Sequence, residues 1–268
     1  MYKLLLVSKS KEVRKAFSGI QDMNRLMFDP VALADSAEEA LAFLKKPGAD
    51  AIAMDLPQEE AAQLHKHLEK SYPHLPIMRV HRKRDAVRNE LTMLREVLDQ
   101  LHGDFSDSEN DAPMVLSRLE NDTLHKLLQE RLASREELAS RLQLSRSSLA
   151  AKRPCLLFEF DLPDGASFLE HRWSHGFDRL ELSLRANFFG RLQGSLVYAA
   201  ALLSPLRLRV LASPVKDISE KELDRLSTKA HKEVLDTAQQ VKDFMDLDMV
   251  CTQFRVLSSL DDLIAPLK

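Results

Sequence analysis

Four short apolar runs punctuate the first part of the chain: residues 3–7 (KLLLV), 30–34 (PVALA), 50–54 (DAIAM) and 76–80 (PIMRV). Runs of this length bounded by polar residues read as strands buried on both faces. The stretches between them, SKEVRKAFSGI, SAEEALAFLKK and EEAAQLHKHLEKS, repeat apolar residues at three-to-four spacing, the mark of helices with one buried side. Strand and helix alternate, which predicts a parallel sheet crossed by helices. No fifth strand follows the fourth. RVHRKRD leads directly into 85–101 (DAVRNELTMLREVLDQL), a helix with Val87, Leu91, Leu94, Leu98 and Leu101 on one side. That helix closes a first α/β domain, 1–103.

The segment 104–111 (DFSDSEND) is acidic and polar and lies between Gly103 and Pro113, the composition of a solvated linker. It opens a helical connector, 104–150, in which 114–132 repeats Leu116, Leu119, Leu124, Leu127 and Leu128 at helical spacing. Such a stripe fits two arrangements, packing within the chain or self-association with a twin. A second domain, 151–268, is expected to open with a strand at 155–160 and a long helix over 165–189. A hairpin of strands 195–202 and 206–212 follows, joined through Leu203, Ser204 and Pro205. A long helix at 220–244, a strand at 249–256 and the start of a helix at 260–264 complete an α+β layer, a mostly antiparallel sheet with helices on one face.

Composition narrows the chemistry. At 268 residues there is enough chain for two cores, and 44% apolar with 29% charged residues at a net charge of -3 describes a globular chain whose overall field favours no nucleic acid. The two cysteines, Cys155 and Cys251, sit in apolar runs (PCLLFEF, MVCTQF) and read as small buried hydrophobes in a reducing cytoplasm. MYKLLLVSKSKE is too short in its apolar part for a signal peptide, and no stretch reaches the roughly 20 apolar residues of a membrane span, so no membrane is expected. Seven glycines form neither G-x-x-x-x-G-K-[ST] nor G-x-G-x-x-G. No cofactor is expected.

The run VALADSAEEALAFLKKPGADAIAMDLP resembles the second and third strands of a two-component receiver domain, a flavodoxin-like fold, and Asp55 matches the family's phospho-acceptor position. That family ends its first strand with an acidic pair, which holds the metal that neutralises the phosphoryl oxygens. Here Ser8, Lys9 and Ser10 stand in that place, and the Lys9 ammonium is placed to pair with Asp55. The family's hydroxyl after strand four is replaced by His81, and its lysine after strand five has no strand to carry it. The resemblance implies a pseudo-receiver on a truncated parallel sheet, with Asp55 inactive.

The run KLLQERLASREELASRLQL followed by PCLLFEFDLP looks like the junction between receiver and middle domain in AraC/YesN-type response regulators. That middle domain is a diguanylate-cyclase-like (GGDEF) fold stripped of its catalytic turn. A working cyclase needs glycines for close approach of the nucleotide and acids for metal. The corresponding hairpin here reads ALLSPLRL, with neither. Asp161 matches one metal-ligand position of the cyclases and also reads as a helix-start residue near Asp164 and Gly165. The DNA-binding module that ends such regulators has no counterpart before Lys268.

Other patterns carry less. SREELASRLQLSRSSLAAK (134–152) imitates a helix-turn-helix, in which Arg146, Ser147 and Lys152 would contact DNA; against this, the second helix would be only about two turns long and the turn lacks glycine. Arg82 and Asp85 spell R-x-x-D, the spacing of a cyclic-dinucleotide site, but in the wrong domain, so a solvated loop with Asp85 as helix cap is expected. His171 and His175 have no third metal ligand in sequence, and Trp173 is expected to pack. The sequence thus reads as a non-enzymatic signalling protein that works through a protein partner, as a homodimer, with no catalytic residue and no metal. Two alternatives stand beside it: a DNA-binding regulator using 134–152, and a nucleotide or cyclic-dinucleotide sensor near Asp161.

Overall fold

The computed structural model describes residues 1–46, 48–102, 112–188 and 195–264. The acidic linker expected at 104–111 lies outside them. The chain forms two compact units, Met1–Glu120 with Ser140–Ser147, and Asn121–Ala139 with Ser148–Lys268. The residues of the expected connector divide between the two units.

The first unit is a parallel α/β layer. Strands β1 (Leu4–Ser8), β2 (Ala32–Ala34), β3 (Ala51–Asp55) and β4 (Ile77–Met78) lie in the order β2-β1-β3-β4, every pairing parallel. Every β1 residue is buried, because helices cover both faces of the sheet. Leu4 and Leu6 point into a core with Val13 and Phe17 of α1 (Lys11–Ser18) and Val87, Leu91, Leu94 and Leu98 of α4 (Arg84–Leu101). Leu5 and Val7 point the other way, to Leu44 of α2 (Ala37–Lys45) and Leu64 and Leu68 of α3 (Gln58–Ser71). Alternation along one strand thus builds two cores. Ser10 and Ser36 start α1 and α2 by accepting from the Val13 and Glu39 backbone N–H groups, as side-chain caps do.

Two connector helices follow, α5 (Ala112–Leu128) and α6 (Arg135–Leu144). Leu116, Leu124, Leu127 and Leu128 of the α5 stripe are buried within the chain. Packing in cis accounts for them, and the stripe is not available as a seam for a twin.

The second unit runs β5 (Cys155–Asp161), α7 (Gly165–His171), α8 (Phe177–Phe188), β6 (Leu196–Ser204), β7 (Arg207–Pro214), α9 (Glu220–Met245) and β8 (Val250–Leu257). Its sheet has the order β6-β7-β5-β8 with every neighbour antiparallel, a β-α-β-β-α-β chain path. Leu156, Phe158 and Phe160 of β5 share a core with Leu180 and Leu184 of α8 and Leu226, Ala230 and Val234 of α9. The single helix expected over 165–189 is two helices. Gly176 adopts a left-handed conformation (φ 79°), and the Trp173 indole donates to its carbonyl at 3.0 Å, which closes a turn between α7 and α8. The last segment, Leu260–Leu263, is a short 3₁₀ turn held by a capping box at Ser259.

Candidate functional site

Ligands of open parallel sheets bind beyond the carboxyl ends of the strands, and here β1 and β3 end side by side, with Ser8 paired to Asp55 in register. Asp55 is exposed. The buried Ser8 hydroxyl donates to Asp55 Oδ2 at 2.9 Å and accepts from the Ser10 backbone N–H at 3.0 Å. Arg14 donates from Nε to the Ser8 carbonyl at 2.7 Å and forms an ion pair with Asp35, just past β2. The strand ends therefore hold a hydroxyl and a guanidinium where a phosphorylating site needs carboxylates for a metal. Lys9 is exposed and, among the described residues, makes no ion pair with Asp55. The expected Lys9–Asp55 pair is replaced by the Ser8 hydrogen bond. A lysine just past the strand end stays solvated at no desolvation cost, whereas Ser8, one residue earlier, faces Asp55 directly.

His81, just past β4, does not join Asp55 in any described contact. Its Nε2 lies 2.9 Å from Oε1 of Glu90, on α4. The same oxygen accepts from the Ser140 hydroxyl of α6, and Arg79 Nη1 reaches Ser140 Oγ at 3.5 Å. The Glu90 side chain is only 4% exposed, and its second oxygen, Oε2, is buried with no hydrogen-bond partner among the described residues. A buried carboxylate with two donors on one oxygen is a costly arrangement, tolerable only where those donors are fixed. It ties the loop after β4, the middle of α4 and α6 together. Glu90 lies one position before Leu91 in the apolar stripe of α4, so its burial was legible as a polar residue inside a buried face. Nothing in the sequence named Ser140 as its partner.

Residues 134–152 do not form a helix-turn-helix. α6 ends at Leu144, Arg146 takes a left-handed conformation (φ 57°), and 145–153 is turn and irregular backbone with no second helix. Three serines in SRSSL favour backbone-bonded turns over helix. Arg146 is half-buried and donates to the Leu75 carbonyl at 3.4 Å, and burial pushes its guanidinium pKa down. The Ser147 hydroxyl donates to Glu120. Lys152 is exposed in a turn of the other unit.

In the second unit Asp161 ends β5, exposed and paired in register with Arg207. The backbone closes the space beside it. The Leu162 N–H donates to the Leu206 carbonyl at 2.9 Å. A Cβ placed on Gly165 would lie 1.8 Å from the Pro205 carbonyl oxygen. The tip of the β6–β7 hairpin thus rests on the first residue of α7. Among the described residues a cavity of about 150 Å³ lies here, with Glu159, Asp161, Arg207, Arg209 and Thr252 in its lining. Small-molecule sites usually measure roughly 300–1,000 Å³.

Two polar networks in this unit were not foreseen. Arg209 donates to Glu159 (2.8 Å), Glu130 (2.6 Å) and the Leu128 carbonyl (3.1 Å), closing the C-terminal end of α5. His125 of α5 is hydrogen-bonded to Glu181 of α8, whose Oε1 also accepts from the Leu202 N–H at 3.2 Å. Burial works to raise the Glu181 pKa, but the hydrogen bond and charge of His125, the Leu202 N–H and Arg185 outweigh it and hold the carboxyl below its ordinary range. Arg82 lies 3.6 Å from Glu12, and Asp85 is not the helix cap expected of it: Lys83 holds the cap position without a side-chain bond, α4 begins at Arg84, and Asp85 lies within the first turn. Trp173 stacks on Phe168 at 5.9 Å, with His175 edge-on to it. Cys155 is buried, and burial with the charge of Asp262 pushes its thiol up to about 12, so it is no nucleophile at neutral pH. Among the described residues, no group of three or more His, Cys, Asp or Glu side chains could hold a metal, and no helix is long and apolar enough to cross a membrane.

No protein-family model matches this chain, and no match was found among curated proteins.

Proposed function

We propose that this chain is a non-enzymatic signalling protein, a pseudo-receiver joined to a catalytically silent cyclase-like domain, which acts in the cytoplasm by contact with a protein partner and as a homodimer. The observation that carries the reading is the bond from Ser8 to Asp55. A neutral hydroxyl holds the one carboxylate at the switch position, and Arg14 of α1 reaches the Ser8 carbonyl at the end of β1, so a hydroxyl and a guanidinium stand where an acidic set would bind a divalent ion. The strand order β2-β1-β3-β4 supports the receiver likeness, because a flavodoxin-like sheet runs 2-1-3-4-5. The β-α-β-β-α-β path and the closed hairpin support a cyclase-like domain that has lost its nucleotide space. Two free cysteines fit a reducing compartment. In place of a phosphorylation switch, the His81–Glu90–Ser140 cluster joins the parallel sheet to α6 in one fixed arrangement.

The test is biochemical. Purified chain incubated with GTP and magnesium is expected to release no pyrophosphate and form no cyclic dinucleotide, and calorimetric titration with GTP and with cyclic di-GMP is expected to be flat. Turnover or a saturable heat would contradict the reading.

A further inference from the structure

Strand β8 is the last in the order β6-β7-β5-β8, and its outer side meets no other strand among the described residues. It is eight residues long, and its side chains alternate across the pleat from Gln253 to Leu257. Phe254 and Val256 lie on the helix side of the sheet, paired in register with Phe158 and Leu156, and stay 36% and 50% exposed. Phe254 stacks on Phe158 at 4.8 Å and lies 5.1 Å from the His231 ring of α9. Leu235, one turn further along α9 on the same side as His231, is also exposed.

An unpaired edge with these features is unusual, because chains protect open edges with lysine, proline or inward-facing charge. β8 has no lysine and no proline. Its one charge, Arg255, already lies 3.7 Å from Glu159 on its own sheet. The bulge at Thr252, between the Gln253–Glu159 and Cys251–Phe160 pairs, bends only the start of the strand.

We propose that a second copy of this chain docks here, β8 against β8 in antiparallel fashion about a two-fold axis at Phe254. This rests on the homodimer reading above and names its surface. The occupant follows from self-complementarity. With the axis at Phe254, the two Phe254 rings face each other and extend the Phe158–Phe254 stack. Thr252 lies opposite Val256, and Gln253 lies opposite Arg255. The guanidinium of each copy then meets an amide oxygen of the other, and no like charges are opposed. Moving the axis one residue, to Arg255, would set two guanidiniums face to face, which destabilises a strand pair. The result is one eight-stranded sheet with an aromatic row across the junction. Isologous pairing of this kind closes on itself and leaves no further edge to recruit a third copy through β8.

The experiment measures the mass of the full-length chain by light scattering over a concentration series, for the parent, Val256→Lys, and Phe254→Cys combined with Cys251→Ser. The parent is expected to be a dimer. Val256→Lys, at a half-exposed position that tolerates a charge in the monomer, is expected to raise the dimer dissociation constant at least tenfold with an unchanged circular dichroism spectrum. Phe254→Cys is expected to form a disulfide between copies under mild oxidation, which tests the surface even if Val256→Lys fails to fold. A parent that is monomeric throughout would overturn both this surface and the homodimer reading. A dimer that survives Val256→Lys and does not cross-link at residue 254 would overturn this surface alone. Binding of an unrelated extended peptide to a monomeric parent would assign the edge to a different partner and overturn the proposal.

Discussion

Ser8 donates its hydroxyl proton to Asp55 across the β1–β3 pairing, 2.9 Å from oxygen to oxygen, and the backbone N–H of Ser10 completes the serine's hydrogen bonds. The buried residue is the serine and the exposed one is the aspartate, so the bond positions Asp55 without withdrawing it from water. Replacing Ser8 with Ala leaves the Ser10 N–H short of an acceptor and is expected to cost about 1 kcal/mol, read as a lower urea midpoint with an unchanged slope. Asp55→Ala, at an exposed carboxylate, is expected to cost less than Ser8→Ala. The reverse order would mean that the carboxylate has a partner other than Ser8.

Glu90 anchors His81 and Ser140 on one buried oxygen. Glu90→Ala leaves both donors without an acceptor in a packed interior and is expected to destabilise the first unit by about 2–3 kcal/mol, against about 1 kcal/mol for Ser140→Ala. Chemical unfolding followed by far-ultraviolet circular dichroism reads both. Equal effects would show that the carboxylate does not hold the two groups together.

Acid should weaken the second unit. Because the folded-state pKa of Glu181 lies below its ordinary value of 4.5, ionisation of this carboxylate contributes stability that is fully present above that value. The contribution is lost as pH falls through the lower, folded-state pKa. Glu181→Gln is therefore expected to flatten the loss of stability below pH 4.5, measured by unfolding at a series of pH values. An unchanged acid limb would contradict the His125–Glu181 assignment. The groups facing Glu181 are His125, Arg185 and the Leu202 N–H.

Gly165 is a position where only glycine fits. A Cβ there would meet the Pro205 carbonyl oxygen at 1.8 Å, so Gly165→Ala must push the hairpin tip off α7. The expected cost is about 3 kcal/mol, the upper end of overpacking penalties. Gly48→Ala is the control. Its φ is +69° but nothing lies within 4 Å of the added carbon, so only the left-handed backbone is penalised, by about 1 kcal/mol. Thermal unfolding of the two variants gives the comparison.

The parallel unit was legible because its strands are continuous apolar runs and its helices carry single stripes, so local pattern and buried face agree. Among the described residues the parallel sheet has four strands, and RVHRKRD offers no apolar run between β4 and α4. The long helix at 165–189 was misread because the apolar spacing continues through Trp173 and Phe177, while the break depends on the left-handed Gly176, which periodicity does not register. The recognition-like helix over SRSSL failed for a related reason: two adjacent serines compete with helical hydrogen bonding, and Arg146 turns left-handed. The polar networks were the least legible part. Glu90 could be flagged from its place in an apolar stripe, but Ser140, His125, Glu181 and Arg209 meet partners tens of residues away, and a single sequence gives no pairing between such distant positions.

The most direct test of the whole account is intact-mass spectrometry of the chain after incubation with acetyl phosphate and magnesium. An unchanged mass is expected, because Ser8 ends β1 where an acid would hold the ion and Arg14 of α1 donates to its carbonyl. A mass increase of one phosphoryl group that disappears in Asp55→Asn would contradict the account, making this chain a working receiver.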